Sequence, residues 1–399
     1  MKSATAVSYE LDDIAFATKE LTDQIKSKLT FGKNTYAILH GQPDMEIGEL
    51  AAAISKELGC HVMGGTAAAG ATLTEGGYYE LAVVLHVLSD DECLFATAIS
   101  GSMATDPEKE IAETYEKAYQ NLKAQDPEAK PEMVICVGTL LPNMACDTVL
   151  ERVSSICGNL PVFGYIAGDD FEFSKQMVYL DDEEGSDRLA IALISGNVRP
   201  VFQTANLAGE KALEKRLVTK AHDNVICEIE GEPAYEYIKS FPFINDETTV
   251  LFNYQFFVEV PDDEFNDGIP VSRALSSFDK DSGEVTCFAN VPENSYIGLL
   301  YCTGNDVAET SKTGISEFIE KLKNTDDYEY STVLITTCSL RNMFLADMKD
   351  TEGNLVKEYF PPELSISGLY AFGEIAPTSI QEDGAVNRFH NATFTVCAF

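Results

Sequence analysis

Apolar residues recur along this chain with two periods, and the points where the period changes mark its elements. Residues 9–30 carry Ile14, Ala17, Leu21, Ile25 and Leu29 at helical spacing with charges between them. A second stretch places Ile47, Leu50, Ala51, Ile54 and Leu58 on one face and ends at Gly59, as a helix C-terminus should. Short apolar runs at 81–88 and 93–99 read as strands. Asp106 and Pro107 then open a helix through Ile111, Tyr115, Ala118 and Leu122. Proline suits that first turn, where its missing N–H has no helical partner to lose.

The same plan returns with a strand at 133–139, a helix over 147–157 and strands at 188–195 and 199–206. From 207 to 220 the chain turns polar and Lys-rich, and its periodicity weakens, which sets an expected domain boundary. Beyond it lie a strand at 225–230, a short helix at 233–241, strand-rich stretches at 249–260 and 284–302, and a helix at 310–322. A strand at 332–338 and a closing strand over 388–399 follow. Runs of strands between single helices predict an α+β fold of mixed sheets covered by helices, built from repeated strand-helix-strand-strand units. The expected division is into two domains, 1–215, duplicated internally over 36–100 and 133–206, and 216–399.

One motif recurs three times after a strand and a helix: Gly65-Thr66-Ala67-Ala68-Ala69-Gly70, Gly164-Tyr165-Ile166-Ala167-Gly168-Asp169 and Gly368-Leu369-Tyr370-Ala371-Phe372-Gly373. Recurrence in a repeated context indicates duplication. Gly-x-x-Ala in extended chain lets a neighbouring backbone or a ligand approach closely, and both readings stay open.

The 399 residues are 45% hydrophobic, ordinary for a globular protein, but the net charge of −37 is not. It would repel nucleic-acid phosphates and anionic membranes, and no Lys/Arg stripe offsets it. No apolar run approaches the roughly 20 residues that span a bilayer, and the first residues lack a signal-peptide core, so no membrane insertion and a cytoplasmic location are expected. Ten cysteines without a C-x-x-C pair read as reduced, packed thiols. The acidic stretch 262–268 fails the EF-hand template and reads as a solvated loop. Gly65 to Gly70 lacks the Lys-Ser/Thr of a phosphate loop. Neither a cofactor nor a metal is expected.

The densest chemistry is C-terminal. Cys338 and Arg341 sit where a strand gives way to a helix, Tyr370 lies in the third Gly/Ala segment with Glu374 just after it, and His390 and Asn391 lie on the closing strand. Polar groups at strand ends are where sheet proteins build pockets. Arg341 can clamp a carboxylate and Glu374 can accept an ammonium, which together would suit an amino acid or similar zwitterion. The two can equally pair with each other, and Cys338 with His390 can act as nucleophile and base.

These residues carry a resemblance. Gly368 to Pro377 (GLYAFGEIAP) followed by Phe389 to Thr393 (FHNAT) resembles the closing GFYTYGEIAP and FHNQT signature of the FIST sensory domain family. Thr337 to Arg341 is similar to its FSC-x-x-R, Val225 to Tyr237 to the opening of its C-terminal part, and Gly64 to Gly70 to the GCSTAGEI of its N-terminal part, without that segment's Cys and Glu. The resemblance covers nearly the whole chain. It implies a ligand sensor of signal transduction, binding a small molecule such as an amino acid through Cys338, Arg341, Tyr370, Glu374, His390 and Asn391. Because it leaves no room for an output segment, a separate signalling protein is the expected partner. Two other functions remain open: a cysteine-dependent hydrolase or acyl transferase using Cys338 and His390, and a scaffold that binds no ligand.

Overall fold

The computed structural model describes residues 1–141, 144–158, 160–207, 213–242, 244, 254–260, 267–325 and 327–399. Its helices begin and end where the local chemistry dictates. Asp106 accepts from the Lys109 N–H to cap the helix Pro107–Gln125, and Gly59 closes Ile47–Leu58 in the left-handed conformation that glycine enters without strain. The first helix is shorter than the sequence pattern suggests, Ile14–Lys28, because Asp13 caps it. The helix expected at 310–322 starts earlier, at Gly304, behind a capping box made by Thr303 and Asp306.

Three structural units share one plan. In the first, strands Lys2–Ser8, Asn34–Gly41, His61–Thr66 and Val83–Asp90 form a sheet carrying helices Ile14–Lys28 and Ile47–Leu58. The second has Leu94–Ile99, Pro131–Gly138, Val162–Ile166 and Ala190–Ser195 with helices Pro107–Gln125 and Cys146–Cys157. The third has Val201–Asn206, Thr332–Cys338, Ser365–Ala371 and Thr393–Ala398 with helices Gly304–Lys323 and Thr351–Tyr359. The strand Val201–Asn206, which sequence spacing attaches to the second repeat, pairs antiparallel with Thr393–Ala398 and so opens the third.

Each unit lends a hairpin to a neighbour. Ala71–Thr74 of the first pairs with Ser365–Ala371 of the third, Val178–Leu180 of the second with His61–Thr66 of the first, and Gly373–Gln381 of the third with Val162–Ile166 of the second. The exchange is cyclic, so each of the three sheets is completed by another unit. The central parallel pairs are where the repeated glycines sit. A Cβ on Gly164 would stand 1.8 Å from the Cys136 carbonyl oxygen, and one on Gly64 would stand 1.9 Å from that of Leu39. Close backbone approach is therefore what the motif serves, and the first copy is in register at Gly64, one residue earlier than the sequence alignment places it.

Between Val201–Asn206 and Gly304–Lys323 the third unit carries a separate sheet. Leu213–His222 pairs both with Tyr296–Leu300 and with Val225–Ile229, which closes this sheet into a small barrel. Val218, Ile226, Phe256, Val258, Val271 and Leu299 fill its interior. The expected boundary near 215 falls at its first strand. Residues 249–253 of the strand expected at 249–260 lie outside the described residues, as do 262–266 of the acidic stretch. Asp267 is described and is not a solvated group: its carboxylate accepts from Ser379 Oγ at 3.2 Å and pairs with Arg388 at 3.7 Å.

Candidate ligand-binding site

Cys338, Arg341, Tyr370, Glu374, His390 and Asn391 are all buried, yet the fold sorts them into separate settings. Arg341 and Tyr370 belong to a closed network around Glu352, on the helix Thr351–Tyr359. Arg341 Nε donates to Glu352 Oε1 at 2.9 Å, and its terminal nitrogens donate to the carbonyls of Ala392 and Val307 and the hydroxyls of Thr310 and Ser311. The same carboxylate accepts from Ser311 Oγ at 2.6 Å, Thr337 Oγ1 at 3.0 Å and Tyr370 Oη at 2.7 Å. Burial, reinforced by the Glu352 charge, pushes the Tyr370 phenol well above its ordinary range. The fork expected to clamp a ligand carboxylate is engaged inside the protein, and the partner of Arg341 is Glu352, not Glu374.

Cys338 and Glu374 make the second setting. Cys338 ends the strand Thr332–Cys338 and caps the helix Ser339–Leu345. Thr393 donates to Glu374 Oε2 from its N–H at 3.2 Å and its hydroxyl at 2.7 Å. No N–H or O–H group among the described residues reaches Glu374 Oε1, and the carboxyl's remaining hydrogen-bonding neighbour is the weak Cys338 thiol. The Cys338 thiol stands beside this carboxyl, with the backbone N–H groups of Leu340 and Ala392 directed at its sulfur. Burial raises Glu374 to about 8 against the opposing pull of Thr393 and the Arg341 charge. Burial and then the Glu374 charge push the Cys338 thiol well above its usual range. At neutral pH this is a protonated thiol beside a carboxyl that keeps its own proton, with none of the thiolate character of an activated nucleophile.

His390 lies opposite Glu374 in the hairpin register but bonds elsewhere. Its Nε2 bonds the Ala376 carbonyl at 3.1 Å, and burial lowers it to about 3, with Arg273 and Arg388 adding to the effect. No hydrogen bond joins it to Cys338, so the nucleophile–base pair considered from sequence is not assembled. Asn391 Oδ1 accepts the Ala274 N–H at 3.2 Å and ties the barrel to the third unit.

Cys338 and Asn391 do meet at a cavity. Its other walls are Ser339, Leu340, Ala274 and four phenylalanines, Phe171, Phe173, Phe288 and Phe372, so the second unit, the third unit and the barrel all contribute. The volume is about 20 Å³, room for one water. Phe173 forms the lid, with ring centroids 5.0 Å from Phe372 and 6.1 Å from Phe288, and it is 41% exposed. On its outer side Phe173 lines a cleft of about 470 Å³ together with Met103, Leu140, Leu141, Met144, Gln176 and Asp187. The buried Asp169 fixes this segment by accepting the N–H groups of Phe173, Ser174 and Lys175 at 2.8 to 3.1 Å. Phe171 and Phe173 both take left-handed backbone angles, φ 62° and 55°, which bulky residues occupy at a cost.

A wider cleft of about 590 Å³ lies around Cys60, His61 and Asp181. We favour the Cys338 cavity as the candidate site because Cys338, one of its walls, stands beside a buried carboxyl with an unpartnered oxygen. Sequence reasoning missed Glu352 and the phenylalanines. For Phe171 and Phe173 a signal was present: two aromatic residues among Asp169, Asp170 and Glu172, in a segment without strand or helix pattern.

Mixed sheets, cyclic exchange and an inserted barrel define the class of this α+β protein, and comparison with known proteins supplies its family. Residues 35–232 match the FIST N domain and residues 234–377 the FIST C domain, so the chain belongs to the FIST family. Domains of this family serve signal transduction as sensors of small ligands. No curated protein matches the chain. Among solved structures it is similar to cyanuric acid hydrolase, at 9% identity over 100% of both chains with a TM-score of 0.34. It is also similar to PurLQS from Thermotoga maritima, at 11% identity over 99% of this chain and 71% of that one with a TM-score of 0.22. Neither likeness bears on activity.

Proposed function

We propose that this protein is a sensor that binds an amino-acid-sized polar metabolite between Phe173 and the Cys338, Glu374 and Asn391 side chains. The observation that carries the reading is the unpartnered Oε1 of the buried Glu374, which stands behind Cys338, a wall of a cavity that Phe173 covers. Leaving such a group without a partner costs about 1–3 kcal/mol, and a ligand that fills it recovers part of that. In this reading Arg341 and Tyr370 hold the strand ends through Glu352, and His390 secures the hairpin behind them.

The route from binding to signal follows from the walls. Phe173 comes from the second unit and Phe288 from the barrel, so a ligand that parts them shifts the barrel against the units. A separate signalling protein would read that shift, in the reducing cytoplasm that ten free thiols suit. A thermal-shift screen over amino acids, amines, small carboxylates and nucleotides tests the reading. A ligand at about 100 times its Kd stabilises the fold by roughly 2.7 kcal/mol. No shift at millimolar concentration across the panel, in a protein that melts cooperatively, overturns it.

A further inference from the structure

We infer that the ligand meets this site with an organic cation, an ammonium group on a small apolar or aromatic body, using the phenylalanine rings as its cage and the Glu374 carboxylate as its counter-charge. The inference rests on the small-ligand reading above and names the chemistry of the ligand.

Three observations carry it. The faces of aromatic rings are electron-rich and attract cations, and clustered aromatic side chains are how proteins hold ammonium ligands. Phe171, Phe173, Phe288 and Phe372 form such a cluster, with neighbouring centroids between 5.0 and 6.4 Å. Next, among the described residues no Lys or Arg lines the inner cavity or the outer cleft, and the ionisable side chain at the cleft wall is an acid, Asp187. The buried cations behind the walls are engaged: Arg341 is tied to Glu352 at 2.9 Å, and Arg273, next to Ala274, donates to the carbonyls of Ser272, Asn290 and Phe389 and pairs with Asp147 at 3.7 Å. An anionic ligand would find no counter-charge, inside a protein whose net charge of −37 already disfavours it. Finally, Glu374 Oε1 is buried without a partner among the described residues, and once the carboxyl is ionised it is an acceptor that an ammonium N–H can fill.

Binding requires Phe173 to swing outward, because the closed cavity of about 20 Å³ is too small for a methylammonium group. The motion joins the cavity to the 470 Å³ cleft, where the ligand's apolar body meets Met103, Leu140, Leu141 and Met144. The proton balance is fixed. The Glu374 carboxyl gives its proton to solvent, its carboxylate pairs with the incoming ammonium, and no other bond changes. The charged and titratable groups beside Glu374 are the Cys338 thiol at the end of Thr332–Cys338, the Arg341 guanidinium on the following helix and, opposite Glu374 in the hairpin, His390, which burial keeps neutral, with Thr393 bonding from the closing strand. The thiol stays protonated and Arg341 stays paired, so the released proton is that of Glu374.

Calorimetry on the full chain tests this with phenethylamine, tetramethylammonium and phenylacetate, the last matching phenethylamine in shape with the charge reversed. Titrations in two buffers of different ionisation enthalpy count protons. We expect phenethylamine to bind at least tenfold more tightly than phenylacetate, with up to one proton released at pH 7 and tighter binding as pH rises toward 8. Glu374→Gln should abolish the proton release and weaken phenethylamine at least tenfold. The chain contains no tryptophan, so Phe173→Trp adds a single fluorophore at the lid, whose emission should respond to the amine. Equal or tighter binding of phenylacetate, or failure of both cations to bind, overturns the inference. So does amine binding without proton release in the wild-type chain, a result that does not depend on whether Glu374→Gln folds. A neutral or anionic metabolite that stabilises the protein through this cavity removes the cation and leaves the sensory reading standing.

Discussion

Two fully buried glutamates on neighbouring elements of the third unit have opposite surroundings. Glu352 accepts hydrogen bonds at both oxygens and faces Arg341, whose fork is filled in turn. Glu374 accepts one N–H and one O–H bond, both from Thr393 and both to one oxygen, and a thiol stands beside the carboxyl. Burial is equal, so the difference lies in what was built around each carboxylate. The first arrangement is complete and can only hold structure together. The second is incomplete, and the missing partner is why we propose it as a site.

The largest test of this contrast is to break the complete network. Arg341→Ala or Glu352→Gln strands a buried partner and should cost about 3–5 kcal/mol of stability, read as a lower denaturant midpoint. Replacing both with leucine should recover much of that loss. Arg341→Ala combined with Glu374→Gln should instead be close to additive. Strong relief in that second pair would join the two settings into one and dissolve the comparison.

Glu374 should reveal itself through pH. Its folded-state value of about 8 lies above the 4.5 of the free side chain, so between those limits the folded state holds a proton that the unfolded state has lost. Stability contributed by this group therefore falls as pH rises from about 4.5 to 8, at up to roughly 1.4 kcal/mol per pH unit. Glu374→Gln should flatten that slope while melting close to wild type at pH 5. An unchanged slope would mean that the carboxyl is ionised at neutral pH and already satisfied.

One strand serves both settings. Ser365–Ala371 carries Tyr370 to Glu352 and leads directly to Glu374. A Cβ on its Gly368 would lie 2.8 Å from Ile335 Cβ and 2.9 Å from the Ile335 carbonyl oxygen. Gly368→Ala should cost about 1–3 kcal/mol by overpacking and also weaken ligand binding. Loss of stability with unaltered affinity would show that the strand does not position Glu374.

Much of the fold was legible because its signals are local. Gly59 and the Asp106-Pro107 pair mark helix ends with their own backbone chemistry, and the Gly/Ala motif marks where strands press together. The lent hairpins were not legible, since nothing within residues 71–80 or 178–185 says which unit's edge they will complete. That choice is made only when three units close on one another. The strand Val201–Asn206 was assigned to the wrong unit for the same reason: it follows Ala190–Ser195 closely in sequence, while its partner lies nearly two hundred residues away. In the site, Cys338, Glu374 and Asn391 stood out as polar groups at strand ends. Glu352 did not, because one glutamate on a helix among Lys349, Asp350 and Lys357 looks like any solvated residue. Its side chain acquires meaning only when Arg341, Thr337 and Tyr370 converge on it from other elements.

The smallest expected effect comes from an exposed pair that controls for burial. His61 Nδ1 and Asp181 Oδ2 lie 2.6 Å apart at the joint where the second unit's hairpin meets the first unit's sheet, and the Val62 N–H donates to the same carboxylate at 2.9 Å. The hydrogen bond to Asp181 holds the imidazole above its ordinary value. Burial raises Asp181, but the bonds from His61 and Val62 outweigh it and hold the carboxyl below its ordinary value. The signs follow. The histidine contribution is complete below its unfolded value near 6.5 and disappears as pH rises through the folded one. The aspartate contribution is present above about 3.8 and disappears as pH falls through its lowered value. The pair therefore helps most between about pH 4 and 6. With a His61 side chain 61% exposed, solvent screening limits it to roughly 0–1 kcal/mol. His61→Gln should lower the melting temperature slightly at pH 5.5 and leave it unchanged at pH 8.5. A loss as large as that of Arg341→Ala would mean that burial does not set the scale of these pairs, and the contrast between Glu352 and Glu374 would need another cause.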